Sequence, residues 1–373
     1  MITIKELWDF HVHESILGTE IGDINNNGQN EIIGFSKSGK FLVISLSGKK
    51  LTELEVSENS SIWQAKICDL DCDNKNEIIL GGLDGLLRTF KSNSSYELQP
   101  CWAHQFGASV SGFLYSDVTG DGSEEILAYS IDKSLRCLNP HDGALIWGQV
   151  FEEGVGGAIL WQDTINSSEK EVIACGNDGT IRNFKGKNGE LNWFKRFNDK
   201  IRCVSSIKSN TKEMIICGGD DKKLHVIDKN TQEICNLLQF DDFVWKCASF
   251  MFEGKPHLLV STYSFTYFDD SIKIEDIEFS SKVVCLNPNL EQKWEIENIN
   301  LECFLQVELF SNDYFIIGTT KGKILILEAG TGKIVAEVNK TSCVNDIKYD
   351  SESNILISCH DSGSIFAYFI GNS

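Results

Sequence analysis

The sequence predicts an all-β fold, an eight-bladed β-propeller of four-stranded antiparallel blades whose ring closes when the first strand of the chain pairs into the last blade. Three observations predict it. Helical periodicity is nearly absent, while short strand-like runs bounded by Gly, Asn, Asp and Ser recur throughout. A self-similar unit of about 45 residues repeats along the chain, a spacing typical of propeller blades. The last unit, 340–370, has only three strands, and the opening segment Lys5-Glu-Leu-Trp-Asp-Phe10 matches Gly189-Glu-Leu-Asn-Trp-Phe194, a fourth strand elsewhere. Using the first strand to complete the last blade removes the open edges that invite aggregation.

Within a unit the second strand is the clearest element. It reads Glu-Ile-Ile-Gly at 31–34, Glu-Ile-Ile-Leu-Gly-Gly at 77–82, Glu-Ile-Leu-Ala at 125–128, Glu-Val-Ile-Ala-Cys-Gly at 171–176 and Glu-Met-Ile-Ile-Cys-Gly at 213–218. A tight turn follows, such as Lys37-Ser-Gly39, Asp84-Gly85, Asp178-Gly179 or Lys321-Gly322, where glycine supplies the positive φ of a hairpin. Third strands follow, as at Lys40–Ile44 and Thr180–Phe184. A second turn (Asp142-Gly143, Asn188-Gly189, Thr331-Gly332) leads to a fourth strand carrying Trp102, Trp147, Trp193 or Trp294, expected to pack between neighbouring blades. The blades then fall at 13–56, 57–107, 108–151, 152–197, 198–240, 241–297, 298–339, and 340–370 with 1–12, one domain over 1–373.

Composition fits a folded core: 42% hydrophobic, 24% charged and only 4 prolines. Asp plus Glu number 54 against 34 Lys plus Arg, a formal charge of −20 that opposes binding to nucleic acid or to anionic lipid. The N-terminus lacks a basic segment followed by an apolar stretch and a cleavage site, and no apolar run is long enough to span a bilayer. The expectation is a cytoplasmic protein without membrane insertion. Its 13 cysteines, an odd number without a CxxC pair, read as free thiols, with Cys137, Cys175, Cys217 and Cys285 as small core residues.

Three consecutive blades carry an acidic nine-residue loop between first and second strands: Asp23 to Glu31, Asp69 to Glu77 and Asp117 to Glu125. Oxygen-bearing side chains recur at positions 1, 3, 5 and 9: Asp23, Asn25, Asn27 and Glu31; Asp69, Asp71, Asp73 and Glu77; Asp117, Thr119, Asp121 and Glu125. The backbone carbonyl at position 7, of Gln29, Lys75 or Ser123, completes a set suited to Ca²⁺, with Mg²⁺ as a substitute. Gly28, Asn74 and Gly122 allow the sharp turn at position 6. The second loop, with four carboxylates, is the strongest. The plain alternative is a set of self-bonded Asx turns. The fourth loop, Asp163 to Glu171, puts Ile165 at a ligand position and is expected to hold no ion.

These loops and the Glu-Ile-Ile strands resemble FG-GAP (VCBS) repeats of integrin α-chain propellers and their intracellular relatives, including propellers of the Bardet-Biedl ciliary coat complex. The resemblance is specific over 15–130 and diffuse beyond. It implies up to three cations that stiffen one face, while partner proteins use the other. The turns into the fourth strand, especially Glu328-Ala-Gly-Thr-Gly-Lys333 and Pro140-His-Asp-Gly-Ala-Leu-Ile-Trp147, look like PQQ-type repeats, and the blades like WD40 units. That raises quinone-dependent or sugar-processing catalysis as an alternative, but the adjacent cysteine pair of such quinone enzymes is missing. An exported adhesion-type module is a second alternative, disfavoured by the free thiols.

No catalytic arrangement is visible among the 7 histidines, and no phosphate-cradling loop or nucleophile elbow occurs, so the chain is expected to be no enzyme. Candidate partner-binding residues lie elsewhere. A stretch at 261–282 replaces a hairpin turn and brings Tyr263, Phe265, Tyr267 and Phe268 beside Asp269 and Asp270, on the face opposite the acidic loops. The alternative is an extended hairpin that buries those aromatics. Trp63 and Trp245 stand near the starts of inner strands and are expected near the central channel on that same face, as a ligand platform or as packing. The reading is a non-catalytic scaffold for protein partners.

Overall fold

The computed structural model describes residues 2–162, 170–208, 213–264 and 280–372. Alternating and uninterrupted apolar runs there form 32 strands and no helix. After β1 (Ile2–His11), blade 1 is β2 (Ile16–Gly22), β3 (Glu31–Ser36), β4 (Lys40–Ser45) and β5 (Lys50–Glu55). Blade 2 is β6 (Ile62–Cys68), β7 (Glu77–Gly82), β8 (Leu86–Ser92) and β9 (Leu98–Gln105). Blade 3 is β10 (Val110–Ser116), β11 (Glu125–Ser130), β12 (Ser134–Leu138) and β13 (Leu145–Val150). Blade 4 is β14 (Val155–Gln162), β15 (Lys170–Gly176), β16 (Thr180–Lys185) and β17 (Leu191–Arg196). Blade 5 is β18 (Ile201–Lys208), β19 (Glu213–Gly219), β20 (Lys223–Asp228) and β21 (Ile234–Gln239). Blade 6 is β22 (Phe243–Phe252), β23 (Lys255–Tyr263), β24 (Lys282–Leu286) and β25 (Gln292–Glu297). Blade 7 is β26 (Leu301–Leu309), β27 (Asn312–Thr319), β28 (Lys323–Glu328) and β29 (Ile334–Asn339). Blade 8 is β30 (Val344–Asp350), β31 (Ile355–His360) and β32 (Ser364–Asn372), completed by β1.

The chain is therefore an eight-bladed β-propeller, each blade an antiparallel sheet of four strands, with β1 paired to β32 from Ile2↔Asn372 to His11↔Ser364. No helix among the described residues is long and apolar enough to cross a membrane. The second strands are buried on both faces because they sit between sheets, which explains their unbroken Ile/Val/Leu runs. The core is divided by seam rather than by blade. Ile33, Phe41 and Ile78 join blades 1 and 2; Leu127, Trp147 and Val172 join blades 3 and 4; Ile32, Ile357 and Ile365 join blades 8 and 1.

Tryptophans from the fourth strands lock these seams. The Trp102 indole N–H donates to the Pro140 carbonyl at 2.8 Å, Trp147 to Gly186 at 2.7 Å, Trp294 to Ala329 at 2.9 Å and, from the closing strand, Trp8 to Leu46 at 2.9 Å. Each ring lies on the glycine of the next blade's turn: Gly143, Gly189, Gly332 and Gly48 all have positive φ, and a Cβ on any of them would meet the indole within 2.7 Å. Glycine is needed there for conformation and for space at once. Trp193 packs half-buried on the seam between blades 4 and 5.

A second device repeats on the opposite face. The turn aspartates Asp84, Asp132 and Asp178 pair with Arg88, Arg136 and Arg182 four residues on. Arg136 and Arg182 lie over Phe106 and Phe151 at 4.3 and 4.0 Å from the ring centres. Asp221 and His225 take those places in blade 5, with His225 against Phe197.

Candidate functional site

The three acidic loops share one backbone. Positions 4 and 6 are left-handed in each: Asn26 and Gly28, Cys72 and Asn74, Gly120 and Gly122. The carboxylate at position 1 gathers backbone donors. Asp23 accepts from Asn27 N–H (3.0 Å) and Gly28 N–H (2.7 Å), Asp69 from Asp73 N–H (3.2 Å) and Asn74 N–H (2.8 Å), Asp117 from Gly120 N–H (2.8 Å) and Gly122 N–H (3.3 Å). The side chain at position 5 accepts from the N–H at position 7, at 2.8 Å for Asn27–Gln29, 2.9 Å for Asp73–Lys75 and 2.8 Å for Asp121–Ser123. The buried glutamate at position 9 reaches back to the N–H at position 2: Glu31 to Ile24 at 3.1 Å, Glu77 to Leu70 at 2.8 Å and Glu125 to Val118 at 2.8 Å. Among the described residues, only in the second loop do three carboxylates converge on one point. Burial pushes the carboxyls of Glu31 and Glu77 above their ordinary pKa.

The loops differ in charge. In the second, Asp69, Asp71 and Glu77 bring one oxygen each within 4.8 Å of one another. Oε1 of Glu77 is buried and has no hydrogen-bond donor. It faces the ammonium of Lys91 at 3.4 Å, which also lies 2.6 Å from Asp71 and 3.6 Å from Asp73. Lys91 thus stands as a cation among the candidate ligands. In the third loop Lys170 holds Asp117 at 2.7 Å, and the Thr119 hydroxyl donates to Glu125 at 3.0 Å. In the first, Asn25 Oδ1 accepts from Asn27 N–H at 3.2 Å, and the Tyr96 hydroxyl donates to Glu31 at 3.1 Å. Neither lysine is evident from loop spacing alone. Lys91 was findable because it is the cross-strand partner of Glu77.

Loop bonds also cross the seams. Asn76 N–H donates to Asn26 Oδ1 at 2.7 Å, Asn76 Nδ2 to the Asp23 carbonyl at 2.9 Å, and the Tyr115 hydroxyl to the Asp69 carbonyl at 2.8 Å. A cation in such a loop would act on the joints between blades. The fourth loop lies outside the described residues over 163–169.

The opposite face holds the mouth of the channel. All eight inner strands slip register by one residue near their start, so that Leu17, Trp63, Ser111, Gly156, Arg202, Trp245, Glu302 and Asn345 are the extra residues. A bulge re-aims its side chain, and here those of blades 2 to 7 bring Trp63, Ser111, Gly156, Arg202, Trp245 and Glu302 to one hollow, while Leu17 packs into the seam of blades 1 and 2 and Asn345 bonds to the Ile16 carbonyl. Trp63, Arg202, Trp245 and Glu302 line a cavity of about 930 Å³ there, with Lys246 and Phe304. Trp245 packs on Tyr263 with ring centres 5.0 Å apart, and Arg202 lies over the indole at 4.9 Å while pairing with Asp220. The structure thus brings Trp63, Trp245 and Tyr263 to one mouth, and adds Arg202, Glu302 and Lys246, which were not singled out from sequence. Phe265, Tyr267, Phe268, Asp269 and Asp270 lie outside the described residues.

Between the inner strands of blades 8 and 1 Lys348 bridges Glu20 at 3.1 Å and Asp346 at 3.8 Å across the closing seam. A further cavity of about 1050 Å³ opens on the acidic-loop face over blades 3 to 5, lined by Asp121, Glu124, His141, Lys170, Lys187, Trp193 and Lys229 among others.

A family model described as the lambda-carrageenase β-propeller domain matches residues 141–240. No curated protein matches the sequence. Solved structures similar to the chain include Sqt1 of Saccharomyces cerevisiae (TM-score 0.75, 12% identity, 99% of each chain covered). The computationally designed Ika8 protein is similar at TM-score 0.71 and 12% identity, over 98% of this chain and 99% of that one. BamB of Moraxella catarrhalis is similar at TM-score 0.64 and 13% identity, over 100% of this chain and 99% of that one. At these identities the likeness is one of fold.

Proposed function

We propose that the chain is a non-catalytic scaffold that receives a partner protein at the mouth of its channel, on a ring whose opposite face is stiffened by Ca²⁺ in the manner of FG-GAP repeats. One observation carries the reading: the bulges of blades 2, 5, 6 and 7 present Trp63, Arg202, Trp245 and Glu302 at one hollow. Tryptophan and arginine, solvent-accessible here in the free ring, are the side chains that dominate protein interfaces once a partner covers them. Support for work in the cytoplasm comes from the 13 cysteines, all free thiols.

A hard cation would be held by Asp69, Asp71, Asp73, Glu77 and the Lys75 carbonyl, with the Glu77 oxygen that now faces Lys91 as a ligand. Bound there, it would supply the positive charge that Lys91 now offers. Counting Asp and Glu ligands orders the affinities as second loop, then third, then first. Two measurements test the proposal. Calcium titration by calorimetry should give binding that Asp69→Ala with Asp73→Ala weakens; no heat in the wild type would reduce the loops to acidic turns. Affinity capture with wild type and with Trp63→Ala plus Trp245→Ala should lose the same specific partners in the variant; identical partner sets would remove the mouth from the argument.

A second reading, saccharide binding in the cavity over blades 3 to 5, is favoured by one observation: the stretch matching the lambda-carrageenase propeller supplies His141, Lys170, Lys187, Trp193 and Lys229 to that cavity. Retarded migration through a carrageenan-containing gel, abolished by Trp193→Ala, is the outcome that reading expects.

A further inference from the structure

The closing strand ends in two histidines that the packing of the ring does not use. Trp8, Phe10 and Val12 point into the cluster shared by blades 8 and 1, so the alternation of the strand turns Asp9 and His11 to the other side, where both are exposed. The pairing of β1 with β32 runs on past His11, since Val12 N–H donates to the Gly363 carbonyl at 2.9 Å, and the exposed His13 follows in the bend that leads to β2. The two imidazoles meet edge to face, their ring centres 5.8 Å apart and their planes at 90°. His11 Nδ1 lies 3.2 Å from the hydroxyl of Ser364, its partner across the two strands, whereas His13 makes no hydrogen bond among the described residues. This arrangement has the dimensions of a chelate. A Zn²⁺ ion sits about 2.0–2.1 Å from an imidazole nitrogen, itself about 1.1 Å from its ring centre, so two imidazoles on one tetrahedral ion have centres about 5.2 Å apart. From 5.8 Å the pair reaches that spacing by a small turn about χ2, a soft torsion for exposed side chains. With Nδ1–H of His11 donating to Ser364, its Nε2 keeps the lone pair that a metal takes, and the hydroxyl orients the ring.

We propose that His11 and His13 form a binding site for a divalent transition-metal ion of the Zn²⁺ class, with water completing its coordination. Imidazole ligands select such an ion, whereas Ca²⁺ and Mg²⁺ take oxygen ligands, so this site and the acidic loops would not compete for one metal. The exposed carboxylate of Asp9 adds negative charge on the same side of the strand. Position gives the ion a consequence. His11 belongs to the strand that completes blade 8 and His13 to the link that enters blade 1, so one ion would clamp the chain where the ring closes.

Zn²⁺ titration by calorimetry on the reduced full chain tests this. The wild type should bind one ion saturably in the micromolar range, undiminished by excess Ca²⁺, and its melting temperature should rise with Zn²⁺. His11→Ala and His13→Ala should each abolish that binding while melting like the wild type without metal, because both side chains are exposed. Both variants keep all 13 cysteines and the acidic loops, so a difference from the wild type reports the imidazole pair alone. Co²⁺ gives a second readout: ligation by imidazole and water lacks the intense near-ultraviolet band of a thiolate–cobalt bond. Equal Zn²⁺ uptake by the wild type and the double variant, or a thiolate band in the one-to-one Co²⁺ complex, would overturn the proposal.

Discussion

His360 shows how a single buried imidazole sets the ring's tolerance to acid. It is fully buried at the end of β31, its Nδ1–H donating to the Ser342 carbonyl at 3.1 Å and its Nε2 accepting from the Ser358 hydroxyl at 2.9 Å. Burial lowers its pKa from 6.5 to about 4. The folded state therefore refuses a proton that the unfolded chain accepts, so stability is intact above pH 6.5 and is lost as the pH falls toward 4. At about 1.4 kcal/mol per unit the loss reaches roughly 3 kcal/mol. His104 and His257, also lowered by burial, act with the same sign. Denaturant melts at pH 7 and pH 4.5 should show a steep acid loss in the wild type and a shallower one in His360→Gln; parallel losses would assign the acid sensitivity elsewhere. A second residue-scale prediction concerns Lys91, whose ammonium stands among Asp71, Asp73 and Glu77. Lys91→Met removes that competing charge, and calorimetry should find Ca²⁺ bound about tenfold more tightly at the second loop. Unchanged affinity would mean that the ion does not enter there.

Among the elements, the fourth strand and the turn of the following blade form the joint that decides stability. Gly189 has φ +70°, and a Cβ on it would lie 2.6 Å from Cε3 of Trp147. Gly28, with φ +85°, has nothing within 4 Å of its would-be Cβ. Both are left-handed glycines, so Gly28→Ala measures the conformational cost alone, about 1 kcal/mol, while Gly189→Ala adds the displacement of a buried indole and should cost about 2–4 kcal/mol. Equal melting temperatures in the two variants would show that the seam yields freely. This joint marks where sequence reading stops. The turn glycines and the tryptophans were both visible from their spacing, because hairpin conformation and strand period are local. That Trp147 rests on Gly189, and Trp102 on Gly143, follows only from the rotation between blades. The inner-strand bulges were hidden for a similar reason: a one-residue slip leaves no mark in composition, so Trp63 and Trp245 stood out as aromatics whereas Arg202 and Glu302 did not. The acidic loops were legible as a pattern because their spacing is fixed within nine residues. Lys91 and Lys170 come from neighbouring strands, beyond that spacing.

At the level of the whole molecule the ring is a cycle of seams, and β1 is the piece that makes it a cycle. It contributes the indole of Trp8 to the carbonyl of Leu46 in blade 1 and the carboxylate of Glu6 to Lys340, at 2.7 Å, at the seam with blade 7. Ile2 and Ile4 pack into the cluster shared by blades 7 and 8, while Trp8 and Phe10 pack into the one shared by blades 8 and 1. One strand therefore serves both seams of its blade. A chain begun at Val12 would expose the whole edge of β32, from Ser364 to Asn372, with every backbone group that β1 now satisfies. It would also leave two of the eight core clusters open. Because closure joins the two ends of the sequence, its loss is felt by the cooperativity of the ring and not by one blade alone. The truncated protein should show a broadened melt at lower temperature and larger species than the intact chain on size-exclusion chromatography, and a synthetic peptide of residues 1–11 added in excess should restore the sharp transition and the elution of the intact chain. A truncated chain that elutes like the intact one with an unchanged melt would mean that seven complete blades and three strands hold the ring without closure, and that β1 serves the seams only as a cover.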